Sequence, residues 1–165
     1  MKRKSQDGFT LVEVMVVTGI MAIVIVLFGS LFFGNWVNYE ATLSRVDLQE
    51  KTDNFFAVLE EDVMEAENFV IANAGKQLTL TYPADPWFDF STIVYDFTAD
   101  GTVVRTTTGI ETGTQALIAQ GLEASSVFAE DSAVANVLVC QLNLSEQVFG
   151  RTVALEDTKR LALRN

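Results

Sequence analysis

The sequence predicts an α+β protein, with a long N-terminal helix whose first half spans a membrane and whose second half packs on an antiparallel β-sheet head. Three observations lead there. Val14 to Phe33 is a run of 20 residues without a charge. Apolar residues then recur at helical spacing from Phe55 to Val70. After Gly75 the pattern changes to the polar–apolar alternation of strands.

Composition narrows the function before any element is placed. The 165 residues suit one sizeable core. Eleven Lys+Arg against 22 Asp+Glu give a formal charge of −11, the wrong sign for a nucleic-acid partner, which needs a basic footprint. The chain has no His, so His-based triads and His-bearing zinc sites are excluded. A single cysteine, Cys140, excludes an intramolecular disulfide and a multi-Cys metal cluster. In an apolar stretch, Val137-Leu-Val-Cys-Gln-Leu, it reads as a small core residue. No cofactor and no metal site is expected.

The chain opens Met1-Lys2-Arg3-Lys4-Ser5-Gln6-Asp7-Gly8, a short basic stretch. At about 1.5 Å per residue, the uncharged run that follows spans about 30 Å as a helix, the thickness of a hydrocarbon core. Basic residues on its N-terminal side predict that this end stays cytoplasmic and that the rest lies outside. A secretory signal peptide would have a shorter apolar region and a small-x-small cleavage site. The distal end here, Phe28-Gly29-Ser30-Leu31-Phe32-Phe33, offers a poor one. Glu13 is the feature that a plain signal anchor does not explain. A carboxylate in lipid costs about 2.5–3.5 kcal/mol at the bilayer centre and less at its edge, and it asks for a partner.

No Pro occurs before Pro83, so the helix is free to continue beyond the membrane. Phe55, Leu59, Val63, Ala66 and Val70 fall on one helical face. Glu60, Glu61, Asp62, Glu65 and Glu67 lie largely off it and read as a solvated face rather than a calcium site. Ala74-Gly75 has the form of a C-cap. One helix from Phe9 to about Asn73 is therefore predicted, with Gly29 and Gly34 as points of bending.

Strands follow. Residues 77–82 alternate, and 92–97 and 102–107 form a hairpin around Ala99-Asp100-Gly101. Further strands are expected at 122–129, 136–144, 151–155 and 160–163, the last two parted at Glu156-Asp157, with Leu117–Gly121 ambiguous. Pro83-Ala84-Asp85-Pro86-Trp87-Phe88-Asp89-Phe90 is an aromatic loop that suits either a partner contact or a cover for the sheet edge.

Gly8-Phe9-Thr10-Leu11-Val12-Glu13, set between a basic leader and an apolar helix, resembles the class III signal of type IV prepilins and type II secretion pseudopilins. The resemblance covers about the first 35 residues. It implies a leader, 1–8, removed by a prepilin peptidase between Gly8 and Phe9, and N-methylation of Phe9. It also implies an assembly role for Glu13, which would face the terminal amine of a neighbouring subunit. Residues 9–35 would be the transmembrane and assembly part of the helix, and 36–165 the head. Removing the leader leaves eight basic and 21 acidic residues, a formal charge of −13. The sheet-rich second half and the missing disulfide favour a minor subunit. Phe56-Ala-Val-Leu-Glu-Glu-Asp-Val-Met-Glu-Ala, the Leu-x-Leu strand, the Tyr strand with its hairpin to Arg105, and the Leu161-Ala-Leu-Arg-Asn close resemble minor pilins of the W type and minor pseudopilins of the J type.

The implied function is a structural subunit of a type IV pilus or a type II secretion pseudopilus, in its tip or priming complex. Its partners would be the prepilin peptidase, other major and minor pilin-like subunits and an inner-membrane assembly platform. It would be a single-pass inner-membrane protein, later part of the pilus or pseudopilus. A competence-pilus pseudopilin is an alternative within the class, and a membrane-anchored adhesin or binding module that never polymerises is one outside it. An enzyme is not expected: no nucleophile–base–orienter set is visible, and Asp85 and Asp89 form a carboxylate pair without a cleft signature.

Overall fold

The computed structural model describes residues 10–83, 90–109, 112–118 and 120–163. Among the described residues, one α-helix, α1 (Leu11–Glu65), is followed by eight strands: β1 (Asn68–Ala72), β2 (Gln77–Thr81), β3 (Phe90–Phe97), β4 (Val103–Gly109), β5 (Gly113–Ile118), β6 (Val127–Glu130), β7 (Val137–Val148) and β8 (Arg151–Ala162). The predicted α+β layout is what the chain adopts. It divides into two units, Met1–Glu40 and Ala41–Asn165, and α1 contributes to both.

In the first unit α1 runs unbroken through Gly29 and Gly34, and a Cβ added at either glycine would meet nothing within 4 Å. Both glycines lie inside the continuous helical span. In the second unit the helix ends at Glu65, eight residues short of the prediction. The reason is tertiary. Residues 68–72 find a strand partner in 77–81, with Phe69 opposite Leu80 and Ile71 opposite Leu78. Glu67 N–H already donates to the Thr81 carbonyl at 2.9 Å. Ala74-Gly75 is thus a turn between two strands rather than a helix cap, with Asn73, Ala74 and Gly75 all at positive φ. Gly75 is required there: at φ +84° a Cβ would stand 2.7 Å from the Phe128 carbonyl oxygen.

All pairings are antiparallel, in a five-stranded sheet ordered β1-β2-β3-β4-β5 and a three-stranded sheet ordered β6-β7-β8. The expected β3–β4 hairpin is present, with Tyr95 opposite Arg105. Strand β5 was not predicted beyond the ambiguous Leu117–Gly121. The expected strand 122–129 is reduced to β6 and one bridge, Leu122 to Leu144. The predicted break at Glu156-Asp157 is absent, because both residues keep their partners on β7, Asn143 and Leu142.

The two sheets and α1 share one core. Phe55, Phe56, Leu59 and Val63 meet Leu78, Leu80, Ile93, Tyr95, Phe97, Val103 and Ile118 of the larger sheet. From the smaller sheet come Phe128, Leu138, Cys140, Leu142 and Leu144, so Cys140 is the core residue expected. Aromatic rings join the layers. Phe55 meets Tyr95 edge-on at 6.1 Å, and Phe97 stacks on Phe128 at 4.3 Å. Burial alternates along β7 as far as Leu144 and then stops, so the end of the β7–β8 hairpin leaves the core.

Candidate functional site

The site read from the sequence begins with Gly8 and Phe9, which lie outside the described residues along with the rest of the leader. Glu13 is described. It is exposed in the first turn of α1, and its N–H donates to Thr10 Oγ1 at 3.3 Å. Val14 N–H donates to the Thr10 carbonyl at 3.2 Å. Thr10 is therefore the N-cap and Glu13 the third helical residue, the spacing of a capping box. A carboxylate there also faces the positive end of the helix dipole.

Beyond Glu13 the helix surface suits lipid. Leu11 to Phe33 presents exposed Leu, Val, Ile, Met and Phe in nearly every turn, and none of the apolar window is buried. Its hydroxyls find partners within the helix. Thr18 donates to the Val14 carbonyl at 2.9 Å and Ser30 to that of Leu27 at 2.9 Å. Such bonding is what a polar group needs where no water can reach it. Trp36 and Tyr39, both exposed, follow the apolar run, and such aromatic residues favour membrane–water interfaces.

Residues 3–29 match the family model of the prokaryotic N-terminal methylation motif. The match supports a type IV pilin-like class III signal, and with it a pilin- or pseudopilin-type subunit, which is a structural class rather than an enzyme class. It implies processing by a prepilin peptidase and assembly with other pilin-type subunits. The motif and the apolar helix together fit a membrane-anchored protein. The matched stretch includes Gly8, Phe9 and Glu13. No curated protein and no solved structure gave a significant match to the chain.

The head holds a polar cluster that sequence reasoning missed. Asp62, placed on the solvated face above, is buried, with a residue exposure of 6%. Arg105 grips it with both arms, Nε to Oδ2 at 2.7 Å and Nη2 to Oδ1 at 2.9 Å. Tyr95 Oη–H donates to Asp62 Oδ2, and Tyr82 Oη–H donates to the Asp62 carbonyl at 2.8 Å. Burial pushes both phenols above the usual tyrosine range, and the Asp62 charge pushes them further. The hydrogen bond to Asp62 raises the Arg105 guanidinium as well. The chemistry is that of a clamp between helix and sheet, since every acceptor oxygen of the carboxylate is occupied. One signal was available: Phe55, Leu59, Asp62 and Ala66 keep the helical period, so Asp62 falls within the apolar stripe.

The other acidic residues of that stretch behave as a solvated face, with Glu60 paired to Lys159 at 2.5 Å. Among the described residues no three His, Cys, Asp or Glu side chains converge to hold a metal ion. The aromatic loop at 84–89, with Asp85, Asp89 and Trp87, and the terminal Arg164-Asn165 lie outside the described residues.

Proposed function

We propose that the chain is a minor pilin or pseudopilin. In this reading a prepilin peptidase cuts between Gly8 and Phe9 and the new Phe9 amine is methylated. Residues 9–35 then anchor the subunit in the inner membrane, N-terminus in the cytoplasm, with 36–165 outside. From there it joins other pilin-like subunits, through an inner-membrane assembly platform, in the tip or priming complex of a type IV pilus or type II secretion pseudopilus. The observation that carries the reading is the coincidence of the methylation-motif match at 3–29 with an apolar, unburied helix beginning at Leu11. Support for a minor rather than a major subunit comes from the sheet-rich second half and from Cys140 standing free in the core. The deciding experiment is intact-mass analysis of the membrane protein produced beside a prepilin peptidase. The expected product begins at Phe9 and carries one extra methyl group. A chain beginning beyond Ser30 would mark an ordinary signal peptide and end the proposal.

A further inference from the structure

Strand β8 is the outer strand of the three-stranded sheet and pairs with β7 from Arg151 to Ala162. Among the described residues no strand pairs with its other edge. The phase of the ladder tells which groups lie there. Leu163 N–H donates to the Asn136 carbonyl at 3.1 Å, so the odd-numbered residues of β8 bond toward β7. The N–H and C=O groups of Thr152, Ala154, Glu156, Thr158, Arg160 and Ala162 therefore point to the open edge. Thr158 N–H, on that edge, donates to the neighbouring Asp157 Oδ1 at 2.8 Å, a side-chain acceptor where a strand partner would supply a carbonyl.

Charges on an open edge usually guard it against pairing. Here their order makes the strand complementary to itself. The edge reads Glu156-Asp157-Thr158-Lys159-Arg160, with acids and bases at equal distances on either side of Thr158. A two-fold axis at Thr158 sets β8 antiparallel to β8 of a second copy. Glu156 then faces Arg160, Asp157 faces Lys159, Leu155 faces Leu161 and Val153 faces Leu163. Edge-facing residues meet edge-facing residues, so each of those pairs exchanges two backbone hydrogen bonds. The two faces of the strand also agree. Val153, Leu155 and Leu163 pack against the core, while Ala154, Glu156, Thr158, Arg160 and Ala162 are exposed. The smallest slip that keeps the edge-facing groups together puts Asp157 against Asp157 or Lys159 against Lys159, and like charges directly opposite are destabilising.

Arg160 lies 3.5 Å from Asp131 yet keeps a side-chain exposure of 74%, and Lys159 bonds Glu60. Each has N–H groups left for one further acceptor. Three basic residues and two acidic ones lie in β8, in a chain of formal charge −11, so two copies meet at a strand that lacks the acidic excess. We infer that β8 is a self-association edge, through which two copies of this chain join their smaller sheets into one continuous sheet. The inference rests on the head alone and not on the reading of residues 9–35.

Pulsed electron paramagnetic resonance on the full chain in detergent micelles tests the edge. Cys140 is buried, so Thr158→Cys and Ala154→Cys each take one nitroxide, with the native chain as control. The two labels at 158 should lie in contact and broaden each other's spectrum. Between the two positions 154, eight residues of strand give a backbone separation of about 27 Å. A separation of about 20 Å or about 34 Å marks a slipped register and overturns the inference. Self-association without broadening at 158 places the interface elsewhere and overturns it too, as does a chain that stays monomeric. Charge reversal, read by sedimentation equilibrium, is the second measurement. Glu156→Lys and Arg160→Glu should each weaken the dimer by at least about tenfold, because like charges then face one another. Mixing the two variants should restore it, since every facing pair in the mixed dimer is again opposite in sign. Native affinity in either variant, or no recovery on mixing, counts against the edge. Thr158→Pro separates pairing from folding. It removes an edge-facing N–H and leaves the ladder to β7 whole, so the denaturation midpoint should hold while the dimer is lost. Unchanged self-association of Thr158→Pro overturns the inference.

Discussion

Arg105 and Asp62, 43 residues apart in sequence, meet as a two-armed ion pair between β4 and the last turn of α1. Tyr95, beside Arg105 on β3, bonds the same carboxylate. The cluster fixes how the sheet registers on the helix, because a slip of one residue would strand a buried charge. Removing one partner of a buried pair costs about 3–5 kcal/mol. Arg105→Ala is therefore expected to destabilise the head by about 3 kcal/mol, and Arg105→Lys by a large part of that, since an ammonium cannot hold both oxygens. Urea denaturation followed by near-UV circular dichroism measures both. A loss under about 1 kcal/mol for Arg105→Ala would show that the pair is solvated.

Alkaline pH should unfold the head through groups buried in their neutral form. Burial raises Tyr82 and Tyr95 above the ordinary 10.0, and Cys140 above the ordinary 9.0. The unfolded chain releases these protons first, so above about pH 9 it binds fewer protons than the native state and stability falls as pH rises. Below that pH the contribution is fully present. Denaturation midpoints from pH 7 to 11 should be flat at first and then decline. Tyr95→Phe should soften the decline, though it also gives up one hydrogen bond to Asp62.

Gly75 joins the turn after β1 to β6. In Gly75→Ala the new methyl would lie 2.7 Å from a backbone oxygen at a positive φ, so neither rotation nor a flexible neighbour relieves it. A loss of about 2–3 kcal/mol is expected. Gly150→Ala is the comparison: its Cβ meets nothing within 4 Å, so only the φ penalty of about 1 kcal/mol applies. Equal losses in the two variants would remove the Phe128 contact from the account.

Two separable roles for Glu13 can be tested, one in helix capping at the N3 position and one as an assembly charge. Glu13→Gln keeps the cap, because Gln also serves at that position, and deletes the charge. Both Glu13→Gln and Glu13→Ala should still be cut after Gly8 and remain in the membrane. If the charge guides assembly, both should lower co-purification with other pilin-like subunits by about tenfold, equivalent to about 1.4 kcal/mol. A defect confined to Glu13→Ala would assign the residue to helix capping alone.

The limits of the sequence reading follow from the range of the interactions. The apolar helix, the β3–β4 hairpin and the core place of Cys140 were legible because each depends on neighbours close in sequence. Helical period from Phe55 to Val70 misplaced the end of α1, since the strand partner of 68–72 lies beyond a turn that the pattern does not reveal. Asp62 looked solvated because the residues around it are acidic and its counter-charge is far down the chain.

By itself the sequence determined the long apolar segment, the prepilin-like motif and the α+β class, because hydrophobic length and short-range spacing need no tertiary partner. Only the tertiary structure decided where α1 stops, which carboxylate is buried, and that Gly75 turns the chain between two strands instead of capping a helix. Each of these depends on backbone pairing or charge compensation between distant segments, and that energy exists only once the chain has folded.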